Sequence, residues 1–121
     1  MEQAIAQDWR KYDSPMTIEE IHTLCHDDTM EITQHMMSRF QQRGIRYREI
    51  KEALQHGEII EDYPDDFPYP SCLVLGATIT GKILHVVVGI GDGKLWIITA
   101  YEPDASRWSK DFHVRKEENP S

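Results

Sequence analysis

Apolar residues recur at three- and four-residue spacing through the first half of the chain and alternate with other residues in the second. Helices are therefore expected first and strands afterwards. Residues Met1–Tyr12 read as one short helix, ended by Asp13-Ser14-Pro15. Thr17-Ile18-Glu19-Glu20 is a capping box that opens a helix to about His26, with Thr17 as N-cap and Glu20 at N3. Asp27, Asp28 and Thr29 offer the next N-cap, for a helix running to Arg43 with Gly44 at C′. A third helix is predicted over Tyr47–His56, with Ile50, Ala53 and Leu54 on one face and Gly57 at its end.

Glu58–Tyr63 is a short edge-strand candidate, and Pro64, Pro68 and Pro70 make the following stretch an extended loop. Three strands follow at Cys72–Ile79, Ile83–Ile90 and Leu95–Tyr101. The turns between them, Thr80-Gly81-Lys82 and Gly91-Asp92-Gly93-Lys94, are too short for parallel crossovers, so an antiparallel meander is expected. Alternation sorts Leu73, Leu75, Ala77 and Ile79 with Leu84, Val86, Val88 and Ile90 onto a face that packs on the helices. Val74, Gly76 and Thr78 with Ile83, His85, Val87 and Gly89 form the other face, smaller and more polar, provided the hairpin is centred on Thr80-Gly81 or Gly81-Lys82. Gly76 and Gly89 on that face mark a close approach, either of a ligand or of a bulky neighbour such as Trp108. The fold class is thus α+β, with N-terminal helices packed on a three- to four-stranded antiparallel meander. Residues 1–16 form an appendage, 17–116 a single domain with a C-terminal strap at 105–116 that holds Trp108 and Phe112, and 117–121 a tail.

The chain has 121 residues, enough for one unaided core. Its longest apolar runs are far too short to cross a bilayer, and Met1-Glu2-Gln3 does not open a signal peptide. Cys25 and Cys72 read as free thiols in a reducing cytoplasm. The net charge of −8 runs against broad nucleic-acid binding, so any RNA contact must use a local basic patch, while an acidic face suits a basic partner.

Candidate chemistry centres on His35, Arg39 and Arg43, spaced i, i+4, i+8 beside the apolar stripe Ile32, Met36, Met37 and Phe40. A histidine next to two guanidinium forks suits phosphate chemistry; the plainer reading is a solvated charged face. His22, Cys25 and His26 share a helix face, but they are only part of a metal set, so no metal and no cofactor is expected. Thr99 and Tyr101 share a face of the last strand. Lys110, His113, Arg115 and Lys116 form a small basic cluster suited to phosphates.

The segments HMMSRFQQRGI, EALQHGEIIEDYP, YPSCLVLG, LHVVVGI and TAYEPD, followed by Trp108, together resemble a bacterial domain-of-unknown-function family from about Thr33 to Arg115. That family is similar to RelE, barnase and colicin-type RNase toxins, often paired with a small zinc-finger antitoxin. The resemblance implies RNA cleavage by attack of a ribose 2′-hydroxyl on its neighbouring phosphate. His35 or His85 would supply acid and base, Arg39 and Arg43 would stabilise phosphate charge, and Thr99 and Tyr101 would orient it. Lys110, Arg115 and Lys116 would add substrate contacts. An alternative is a non-enzymatic protein-binding or regulatory module, which predicts the same residues scattered or held in structural hydrogen bonds. A weaker alternative is a DNA-binding helix-turn-helix formed by Met30–Arg43, Gly44 and Tyr47–His56.

Overall fold

The computed structural model describes residues 16–116; the helix expected over Met1–Tyr12 and the tail 117–121 lie outside the described residues. Helix α1 (Ile18–Leu24) begins as expected, with Thr17 accepting from the Glu20 N–H and the Glu20 carboxylate accepting from the Thr17 N–H. Met16 packs against the core, and Cys72 Sγ lies 3.6 Å from its sulfur, so the domain begins at least one residue before Thr17.

The next helix starts later than expected. Thr29 N-caps nothing; its hydroxyl turns back to the Leu24 carbonyl at 2.8 Å. Met30–Glu31 instead form a strand, β1, parallel to β5 (Lys94–Tyr101). Helix α2 (Gln34–Gln42) then opens with Thr33 as N-cap, its hydroxyl accepting from the Met36 N–H. Gly44 follows in the left-handed conformation, φ +71°, as a C′ glycine should. Helix α3 (Tyr47–Gln55) buries Ile50, Ala53 and Leu54 on the sheet.

The sheet has five strands in the order β1-β5-β4-β3-β2, with β2 at Glu58–Tyr63, β3 at Ser71–Ala77 and β4 at Ile83–Gly91. Four of them form the antiparallel meander, and the parallel β1 makes the whole sheet mixed. The β3–β4 register pairs Ala77 with Ile83 and Leu75 with His85. This centres the hairpin on Thr80, one residue out of step with the pairings that keep the expected faces together. The strand ends at Ala77 because Thr78 closes a five-residue loop: its N–H donates to the Lys82 carbonyl and its hydroxyl accepts from the Lys82 N–H. Ile79 is consequently in the loop and 80% exposed rather than in the core.

The slip exchanges the expected faces of β3. Cys72, Val74 and Gly76 share the helix side with Leu84, Val86 and Val88, while Leu73 and Leu75 lie beside His85. Gly76 therefore makes room for α3, not for Trp108: a Cβ there would sit 2.0 Å from the Ala53 carbonyl oxygen. Two bulges adjust the outer strands. One in β2, between Ile59 and Glu61, returns Glu61 and Tyr63 to the His85 face. The other, in β5, leaves Ile98 unpaired. A strap formed by residues 105–116 crosses the His85 face, closed by the Trp108–Arg115 bridge. The molecule is thus helices, sheet and strap in three layers.

Candidate functional site

His85 lies midway along β4 and is completely buried. Trp108 covers it edge-on, with ring centroids 4.3 Å apart. Its Nε2 is 2.9 Å from the Phe112 carbonyl. A carbonyl only accepts, so Nε2 carries the proton and Nδ1 is the acceptor for the Tyr101 hydroxyl at 3.3 Å. Burial pushes the His85 pKa below 6.5, against the pull of the Phe112 carbonyl and the Glu61 charge. The ring is a neutral acceptor aimed at Tyr101, which is itself half-buried.

Glu61 and Tyr63 also point to this face. Arg115 grips the Glu61 carboxylate through Nε, at 2.9 and 3.2 Å, and through a terminal nitrogen at 3.2 Å, while Tyr63 donates to the same carboxylate. Burial raises the Glu61 pKa, but these donors outweigh it and hold the carboxyl below its ordinary value. Burial and the Glu61 acceptor push the Tyr63 hydroxyl up to about 12. Arg115 stacks 4.7 Å above Trp108, and His113 pairs with Glu58. The strap is fastened to β2 by these ion pairs. The guanidinium fork of Arg115 is thereby engaged, while Lys110 and Lys116 point to solvent.

The α2 stripe stands at another place. His35, Arg39 and Arg43 are all exposed. Arg43 reaches β5, donating to the Ala100 carbonyl at 2.8 Å and to Thr99 Oγ1 at 3.2 Å. The Ala100 carbonyl lies beyond the short stretch of β5 that β1 covers, so Arg43 satisfies an open sheet edge. The side chains of His35 and Arg39 have no partner among the described residues, and neither touches His85.

Predicted site residues therefore fall into three groups: His35, Arg39, Arg43 and Thr99 outside, Tyr101 with His85 beneath the strap and linked to the first group through β5, and Lys110, Arg115 and Lys116 on the strap itself. Glu61 and Tyr63 were missed in the sequence; their i, i+2 spacing places them on one strand face, but the preceding bulge hides which face it is. Cys25 belongs to the core with Ile21, while His22 and His26 are exposed. No group of three or more His, Cys, Asp or Glu among the described residues is arranged to hold a metal ion. Burial raises both thiols, Cys72 to about 12, which makes them poor nucleophiles. None of the described helices is long and apolar enough to cross a membrane.

No curated protein and no solved structure matches the chain. A protein-family match does cover residues 32–102, from just after β1 through β5, and takes in His35, Arg39, Arg43, Glu61, Tyr63, His85, Thr99 and Tyr101. The chain belongs to the family described as a domain of unknown function, DUF4258.

Proposed function

We propose that the chain is a toxin-like endoribonuclease that works without a metal and is restrained by a zinc-finger-type antitoxin protein. The supporting observation is that three successive residues of β5 gather the outer and the buried groups of side chains. Thr99 and the Ala100 carbonyl hold Arg43, and Tyr101 holds His85. Helices on one face of an antiparallel meander also agree with a RelE- or barnase-like fold.

Cleavage by a ribose 2′-hydroxyl brings its nucleophile with the substrate. It needs a base, a cation for the crowded phosphorane and an acid for the leaving 5′-oxygen. The Tyr101 O–H points into His85 Nδ1, so this pair is oriented to draw a proton inward from the 2′-hydroxyl. Arg39 and Arg43 supply the cations, and His35 is the acid. Thr99 keeps Arg43 at the strand. The local charge of α2 answers the acidity of the whole chain, because phosphate meets that helix first.

The test is expression from a tightly repressed promoter, following growth and total RNA integrity beside His35→Ala, Arg39→Ala and Tyr101→Phe variants. Growth arrest with RNA loss is expected for the wild type. Each folded variant should cut about 100-fold more slowly. Harmless soluble expression with intact RNA would refute the proposal. The burial of His85, with both ring nitrogens engaged, favours the second reading, a non-enzymatic binding module; that reading expects the harmless outcome.

A further inference from the structure

A cleft of about 470 Å³ opens between the loop that carries Phe67 and Tyr69 and the side chains of Met36, Trp96 and Ile98. Its walls are mainly aromatic and aliphatic, a composition suited to taking up an apolar group. Tyr69 stacks on Trp96 with centroids 6.0 Å apart, and Gly91 permits this, since a Cβ there would fall 2.0 Å from the Tyr69 ring. Phe67 is 94% exposed at the mouth, and the bulged Ile98 is 43% exposed. Two large apolar side chains held in water at the rim of an apolar cleft mark a surface built to be covered.

Charge indicates what covers it. Between Lys51 and Lys82 the chain has no lysine or arginine, yet it carries Glu52, Glu58, Glu61, Asp62, Asp65 and Asp66. Glu58 and Glu61 are neutralised by the strap through His113 and Arg115. Asp62, Asp65 and Asp66 meet no cation among the described residues; Asp66 lines the cleft and accepts from the Ser71 hydroxyl. A phosphate chain would be repelled here, whereas a cationic chain would be drawn in. Trp96 already receives a cation, with Lys94 Nζ 6.0 Å from the ring centroid and paired with Glu31, the other acid of the cleft wall.

We propose that this cleft docks a partner protein through a short segment in which an apolar side chain is flanked by arginine or lysine. The apolar side chain fills the space between Met36 and Trp96, and the basic neighbours meet Asp65 and Asp66. The cleft borders α2 and β5 but uses Met36, Trp96 and Ile98 rather than His35, Arg39, Arg43 or Thr99, so the docking stands whether or not the chain cleaves RNA.

The probe is acetyl-Gly-Arg-Phe-Arg-Gly-amide, with acetyl-Gly-Glu-Phe-Glu-Gly-amide as its charge-reversed control, titrated into the full chain and followed by amide and indole NMR shifts. The expected result is saturable binding of the basic peptide, centred on Trp96, Ile98 and residues 65–69, and weakened by salt. Phe67→Ala should weaken it about tenfold, and Asp66→Asn, which keeps the acceptor for Ser71, about threefold. Phe67 is so exposed that its removal leaves the core intact, and the unperturbed part of the spectrum confirms this. Equal binding of the acidic peptide, shifts spread over the whole acidic surface, or no saturable binding would overturn the proposal. So would concentration-dependent self-association abolished by Phe67→Ala, which would assign the cleft to a second copy.

Discussion

His85 is a fully buried histidine in the middle of β4, covered edge-on by Trp108. A histidine closed under Trp108 with both nitrogens engaged is neutral, and its pKa lies below 6.5. Acid therefore protonates the unfolded chain first. The stability that neutral His85 contributes is complete above about pH 6.5 and is lost as pH falls toward its folded value. His113 acts in the opposite sense. Glu58 raises its pKa, so its contribution is present below about pH 6.5 and is lost as pH rises through the folded value. Urea midpoints of wild type and His85→Phe, compared from roughly pH 7 down to pH 5, should show a shallower acid loss in the variant. Curves of identical shape would contradict the assignment. Single residues with local partners were legible in the sequence, as the Thr17 and Glu20 capping box demonstrates. Thr17→Ala should cost about 1 kcal/mol by thermal unfolding. Glu61 and Tyr63 were not legible, because only the β2 bulge decides their face.

At the scale of elements, the helices and the four antiparallel strands followed from periodicity, and their packing followed from contacts that periodicity does not encode. Thr29 and Thr33 are equally good N-caps on paper. The backbone bond from the Leu95 N–H to the Thr29 carbonyl, made by a strand more than sixty residues downstream, places Thr29 beside β5 and leaves Thr33 to start α2. The β3–β4 slip has a comparable cause. Both faces of β3 are apolar enough to be buried, so hydrophobicity does not select the register, and the Thr78–Lys82 loop does. One substitution tests the observed register. Gly76→Ala drives a methyl group into the Ala53 backbone and should destabilise by about 2–3 kcal/mol in denaturant unfolding. In the expected register Gly76 would face the strap, and the same change would be tolerated.

For the whole molecule, a third layer changes what the sheet can offer. The strap hides the polar face of the meander and leaves β5 as the place where helix, sheet and solvent meet. Its sequence announced aromatic and basic residues, and their destination depended on acids some fifty residues earlier in β2. Trp108→Ala should cost about 3–5 kcal/mol and expose His85, read as lost stability together with a His85 that titrates nearer its ordinary value. The −8 charge is likewise distributed rather than uniform: cations stand on α2, and Asp65 and Asp66, which meet no cation among the described residues, precede Phe67 at the cleft.

The cleavage chemistry we propose rests on residues of β5 and α2. The most direct measurement is incubation of purified protein with end-labelled RNA and identification of the new ends. Attack by the 2′-hydroxyl predicts a 2′,3′-cyclic phosphate on one fragment and a 5′-hydroxyl on the other, both greatly reduced in a folded Arg43→Ala variant. Intact RNA, or equal cleavage by wild type and variant, would contradict that assignment.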